Sequence, residues 1–253
     1  MAAVFQFKQA ILTLEELIAS HEEVYQKVND NFATNVFGDM NLVIHYDLYV
    51  DYKHLLICQI YSHSFEAAEE TMRHLKKICS LILAPNDYEE IMQLNYFKEL
   101  ITLEQFRNKS KAEQLTSKKP PYHEIVKRLG IVEKHIGIYD KMPVKYGGKL
   151  KELEQLHLKK SVLENIAHCH FKLNKFADAI VYYVQVLDLL TEFDQVQYKR
   201  IHFMMIECEM EMGQVRNAIA MLEELVEYCM RMTTSDDADY IECQAKKIEI
   251  LEQ

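Results

Sequence analysis

Glycine and proline are scarce in this chain, with six Gly and four Pro in 253 residues, well below the roughly 7% and 5% of an average protein. A β-rich fold needs far more turn residues, so the scarcity favours long helices joined by short links. No run approaches 18 apolar residues, and Lys8, Glu15 and Glu16 interrupt the apolar N-terminal stretch MAAVFQFKQAILTLEELIAS. Neither a signal peptide nor a membrane span is indicated. Basic excess is lacking too, since the net charge is −10 and the pI about 5.6. That argues against direct nucleic-acid binding and against anionic membranes, and makes a basic peptide or basic protein face the natural partner. The six cysteines contain no C-x-x-C. They read as reduced thiols of a cytoplasmic or nuclear protein.

Signatures of catalysis are missing as well. There is no HExxH, no GxSxG and no phosphate loop, and Gly147-Gly148 stands without the other residues of a dinucleotide fingerprint. His168-Cys169-His170 suggests a metal site, but residues two apart on a helix point about 200° from one another, so both rings cannot face one ion. Glu154 and His157 form one Glu-x-x-His; a di-iron bundle needs two, and Glu70 to His74 has one residue too many. The expectation is therefore a non-enzymatic protein with no metal and no cofactor, a helical metalloenzyme being the least favoured reading.

What the chain does contain is concentrated in Leu163–Leu190, LENIAHCHFKLNKFADAIVYYVQVLDLL. Leu163, Ile166, Ala167, His170, Phe171 and Leu173 recur at three- and four-residue spacing, which places them on one helical face. Asn174-Lys175 breaks the rhythm. Phe176, Ala179, Ile180, Tyr183, Val186 and Leu187 begin a second stripe. So short a break makes the two helices antiparallel neighbours, and Ala167 and Ala179 are small where the helices approach. Cys169, Phe176 and Ala179 have the spacing C-x6-aromatic-x2-A. Cys208, Val215 and Ala218 repeat that spacing 39 residues later, and Cys58, Phe65 and Ala68 have it 111 residues earlier. Eleven residues past each alanine stand Cys79, Leu190 and Cys229. Recurrence at a fixed interval is the mark of a helical-repeat array.

The stretch resembles the tetratricopeptide repeat. Leu163, Ala167, Phe176, Ala179 and Tyr183 fall on that family's large, small, aromatic, small and aromatic positions, and Leu173 on its common leucine. His170, Val186 and Thr191 depart from the family's aromatic, small residue and proline, and the missing proline implies a longer second helix. The resemblance covers two strong copies and one weak one. It implies an all-α, right-handed superhelical solenoid of about five antiparallel helix pairs, with an N-terminal helix and a C-terminal capping helix.

Along the chain, residues 1–40 read as an N-terminal helix and loop. Residues 41–84 form the weak repeat, its second helix N-capped by Ser64. Residues 86–148 are degenerate helices, opened by a capping box at Asn86 and Glu89 and interrupted by the basic segment Arg107–Pro121. That segment is a solvated loop or a docking segment with Ser110, Thr116 or Ser117 as phosphosites. Residues 149–192 and 193–232 are the strong repeats, with second helices over about 175–191 and 215–231. Residues 235–253 hold the capping helix, Tyr240–Leu251, and the whole is a single helical-repeat domain. Met205, Met212 and Met221 have core spacing, while Met204 and Met210 fall on the groove side.

In the family, the first helix of each repeat lines a concave groove. Carried over residue by residue, the resemblance implies a groove containing Lys53, His54 and Tyr61 from the weak copy, Glu164, Asn165, His168 and Lys172 from the middle copy, and Arg200, Phe203, Met204 and Glu207 from the last. This mixture suits a partner peptide or helix segment. One family branch holds acidic chaperone tails in a clamp of Lys, Asn and Arg. Ile57 and Met204 break that clamp here, and the negative charge opposes it. The alternative reading is an acidic regulator that caps a basic protein surface, such as a motor or a nucleic-acid-binding protein, on loose similarity to kinesin-binding helical-repeat proteins. The exposed last seam of such an array is also where two copies would meet as a homodimer.

Overall fold

The computed structural model describes residues 2–31, 38–82, 88–109, 113, 121–139, 148–191, 194–232, 243, 245 and 246. Among these residues the chain is all-α, without strands, and within each of its compact units helices consecutive in sequence pack on one another. The helices are α1 (Ala2–Asn31), α2 (Gly38–Tyr61), α3 (Phe65–Ile82), α4 (Tyr88–Arg107), α5 (Tyr122–Tyr139), α6 (Gly148–Lys172), α7 (Phe176–Leu187), α8 (Gln195–Glu211) and α9 (Val215–Met232). They belong to two compact units, Met1–Pro121 and Tyr122–Gln253. Ser110, Thr116, Ser117, Asn86, the stretch 140–147 and most of the expected capping helix lie outside the described residues.

In each unit the two helices of a pair differ in how they are buried. Helix α3 hides Ala68, Met72, Leu75, Ile78 and Cys79 on one stripe and exposes Arg73, His74, Lys76 and Lys77. Helix α9 does the same with Ala218, Leu222, Leu225, Val226 and Cys229 against exposed Arg216, Glu223, Glu224 and Glu227. Helix α2 is instead buried around much of its circumference, at Leu48, Tyr49, Tyr52, Leu55, Leu56, Gln59 and Ile60, because α1 and α3 both pack on it. Burying each such aliphatic or aromatic side chain contributes about 1.5–3 kcal/mol, so the interior helices anchor the pairs.

The three spaced triplets fall at three helix-to-helix turns with one hydrogen-bonding pattern. At the first, the Ser62, His63 and Ser64 N–H groups donate to the Cys58, Ile60 and Gln59 carbonyls. Leu173, Asn174 and Lys175 donate likewise to Cys169, Phe171 and His170, and Met212, Gly213 and Gln214 to Cys208, Met210 and Glu209. The residue at the left-handed position is His63 (φ 62°), Asn174 (φ 57°) or Gly213 (φ 72°). This is a Schellman closure, which satisfies carbonyls that the helix end would otherwise orphan. The residue after it opens the next helix at once, its carbonyl accepting from the N–H of Ala68, Ala179 or Ala218. Those alanines are fully buried. Ser64, expected as an N-cap, has its Oγ 3.1 Å from the Ser62 Oγ.

Helix boundaries differ from the sequence expectation at one place that matters. The missing proline implied a longer second helix, to about residue 191, yet α7 ends at Leu187 and spans only 12 residues. The backbone tightens into three-residue turns, with Leu189 and Leu190 N–H donating to the Val186 and Leu187 carbonyls. The Asp194 carboxylate then accepts from the Thr191 N–H and hydroxyl at 3.1 and 3.2 Å. These side-chain bonds offer the backbone an alternative to further helix, so a proline is not needed to stop it.

Candidate functional site

The expected groove residues of the second unit lie on α6 and α8, which are joined side by side although α7 intervenes in the sequence. Lys160 Nζ donates to Asp194 Oδ2 at 3.0 Å. Further along, the Glu164 carboxylate accepts from Gln197 Nε2 at 3.0 Å through one oxygen and meets Arg200 Nη2 at 2.7 Å through the other. Partner numbers rise together along both helices, so α6 and α8 run parallel. Two antiparallel turns in succession, with a short α7 between, produce that relationship. Lys160 is nearly fully buried, and its ammonium and the Asp194 carboxylate form the least solvated of these contacts. The Thr191 N–H and the Lys160 ammonium hold the Asp194 carboxyl below the usual carboxylate range.

The remaining expected residues are divided between this face and the core. Asn165 is half-buried and donates to the Ser161 carbonyl at 2.9 Å. His168 is half-buried, and Lys172 is exposed with Nζ 5.4 Å from the centre of the Phe171 ring. Phe171 in turn meets Phe176 edge-on at 5.5 Å, across the turn into α7. Phe203 packs against the core of α8 and α9 together with Met210, and Met204 against the core of α6, α7 and α8. Arg200 and Glu207 are exposed. The face is therefore a polar ridge, with Glu164 and Arg200 tied to each other, flanked by half-buried aromatic and methionine side chains.

In the first unit α1 takes up part of the surface expected of α2. Phe7 stacks on Tyr61 with ring centres 5.8 Å apart. His21 Nδ1 donates to Asp51 at 2.7 Å, and the Tyr52 hydroxyl donates to Glu22 at 2.6 Å. Burial and this carboxylate together push the Tyr52 phenol well above its ordinary range. Lys53 is buried, its ammonium 5.9 Å from the centre of the Tyr49 ring, while His54 is exposed. Of the residues expected here, His54 and the open half of Tyr61 remain on the surface.

The other histidines near the second unit's face are structural. His170 is buried and stacks on Tyr182 at 5.5 Å, with Asp178 3.6 Å from Nδ1. Burial lowers its pKa, as do Lys175 and His123, and Asp178 opposes them. His202 is also buried and held low by burial; its Nδ1 contacts the Tyr198 carbonyl at 3.1 Å, so that nitrogen carries the proton. The Cys208 thiol is pushed up to about 12 by burial and by Glu207, Glu209 and Glu211, which keeps it protonated. Among the described residues no group of three or more His, Cys, Asp or Glu side chains is placed to hold a metal ion, and no helix is long and apolar enough to cross a membrane.

Sequence reasoning missed Lys160, Asp194 and Gln197, the residues that fasten α6 to α8. Gln197 lies one turn before Arg200 and shares its face, a signal present in the sequence. The Lys160–Asp194 pair carries no local signal, because its partners are separated by 34 positions and a whole helix. No protein-family model matches the chain, and no curated protein is similar enough to it to count as a relative.

Proposed function

We propose that this chain is a non-enzymatic protein-interaction scaffold. It is a tetratricopeptide-like, right-handed array of about five helix pairs that holds a partner peptide or helix against the first helices of its pairs, in the cytoplasm or nucleus. The observation that carries the proposal is the parallel pairing of α6 with α8 through Glu164, Gln197 and Arg200. First helices of successive pairs set side by side form a ledge along which an extended segment can lie. The three equivalent turns support the same repeat construction. Asn165, His168, Lys172, Arg200, Phe203, Met204 and Glu207 would supply the contacts in the second unit, and His54 and Tyr61 those in the first. A dissociation constant of about 0.1–10 μM is ordinary for such a contact.

The test is affinity capture from native lysate with the wild-type chain and a His168→Ala/Arg200→Ala/Phe203→Ala variant of unchanged helicity, read by mass spectrometry. A partner lost only with the variant supports the ledge as the binding surface; identical partner lists overturn it. The net charge of −10 favours a second reading, an acidic regulator capping a basic protein surface. Binding that collapses between low and high salt points to that reading, because exposed charge pairs are screened over about 10 Å at 0.1 M salt.

A further inference from the structure

Cys229 and Cys243 place two sulfurs in contact within the core of the second unit. Cys229 lies on the buried stripe of α9, beside Leu222, Leu225 and Val226, and Cys243 is fully buried against the same core. Their Sγ atoms are 3.9 Å apart, and the residues are separated by 14 positions. This is van der Waals contact between thiols, and none of the six cysteines is in a disulfide. A disulfide requires about 2.05 Å between sulfurs, so a closure of about 2 Å separates the two states. Cys208 is kept a thiol first by burial and then by Glu207, Glu209 and Glu211.

We propose that Cys229 and Cys243 are a dithiol that a peroxide oxidises to an intramolecular disulfide, linking Cys243 covalently to α9. One thiol, as its thiolate, attacks a peroxide oxygen; the O–O bond breaks, the sulfur becomes a sulfenic acid, and the oxygen that leaves takes up the released proton as water. The second sulfur then attacks the sulfenic sulfur and displaces the hydroxyl, which leaves with the second thiol proton as another water. Each sulfur is oxidised by one electron, and the peroxide is reduced by two. Both thiols are at most 4% exposed, so the oxidant reaches them only when the seam opens locally.

The experiment uses the full chain, reduced, freed of reductant and treated with hydrogen peroxide under native conditions. Remaining thiols are then alkylated and the protein is unfolded and digested with trypsin. Cleavage after Arg216, Arg231 and Lys246 separates Cys229 in peptide 217–231 from Cys243 in peptide 232–246. The expected product is these two peptides linked, two hydrogens lighter than their sum and split by reductant. Native cleavage after Arg231 should slow at least about tenfold on oxidation, because the closed loop restrains local opening. A Cys243→Ala variant should keep the wild-type reduced-state melting temperature within a few degrees and show no such slowing. The proposal is overturned if both cysteines are recovered alkylated, if they are recovered as sulfinic acids, or if they are linked to other cysteines instead. It is overturned equally if the variant gains the same protease resistance on oxidation.

Discussion

Arg200 and Glu164 come from helices separated by an entire intervening helix, and their charged groups meet at 2.7 Å. The arginine is more than half exposed, so the ion pair is worth little by itself, about 0.2–1 kcal/mol. A double-mutant cycle with Glu164→Gln and Arg200→Gln, read by urea unfolding, should give a coupling in that range which shrinks as salt is raised. A coupling well above it, insensitive to salt, would mean that the pair is more buried than the structure places it.

Lys160 and Asp194 are expected to behave differently, because the lysine is nearly fully buried. Asp194→Ala leaves an ammonium without its carboxylate and should cost about 3 kcal/mol, whereas Lys160→Met removes the buried charge and should cost less. The pair also sets a pH limit. Its carboxyl is held below the ordinary 3.8, so its contribution is complete above that value and is lost as pH falls through the lower, folded-state pKa. Equal losses in the two variants would refute this ordering.

The turns give an opposed pair of substitutions. Gly213 has φ +72°, and a methyl group there would meet nothing within 4 Å, so Gly213→Ala tests backbone conformation alone. It should destabilise by about 1 kcal/mol. His63 holds the same left-handed conformation with a full side chain, and His63→Gly should stabilise by about 0.5–1 kcal/mol. Thermal melts of both variants decide the matter, and shifts of the same sign would show that the two turns are not equivalent.

Acid should weaken the fold through His170 and His202. Both are buried with pKa values below the ordinary 6.5. In the window between the folded values and 6.5 the unfolded chain binds more protons, so stability rises with pH there. It is complete above about 6.5 and is lost as pH falls through the folded values. Urea midpoints measured as pH is lowered from above the ordinary 6.5 should decline. His170→Gln and His202→Gln should each flatten the curve. A slope unchanged in both variants would assign the effect to other groups.

The helix pairs were legible because apolar residues recur at three- and four-residue spacing, and because Ala68, Ala179 and Ala218, which recur at one place in that spacing, are fully buried. The turn positions were legible from the same triplets. The end of α7 was not, since Asp194 decides it by binding Thr191 and a lysine from α6, and no local pattern announces a tertiary capture. Nor could the sequence say that Phe7 would stack on Tyr61. The spacing within α1 shows that it has an apolar face without naming the helix that face will meet. For Lys53 the repeat alignment supplied a position on the helix, but its burial depends on what packs against that helix.

The serial packing within each unit, in which a helix rests on the one next to it in sequence, carries a kinetic consequence. Most contacts join residues close together in the chain, so little loop entropy is lost before they form, and folding should finish in milliseconds or less within each unit. Disassembly should follow the same seams. Amide exchange would then be released hairpin by hairpin, with α6 and α8, tied across α7 by the Lys160–Asp194 pair, opening together.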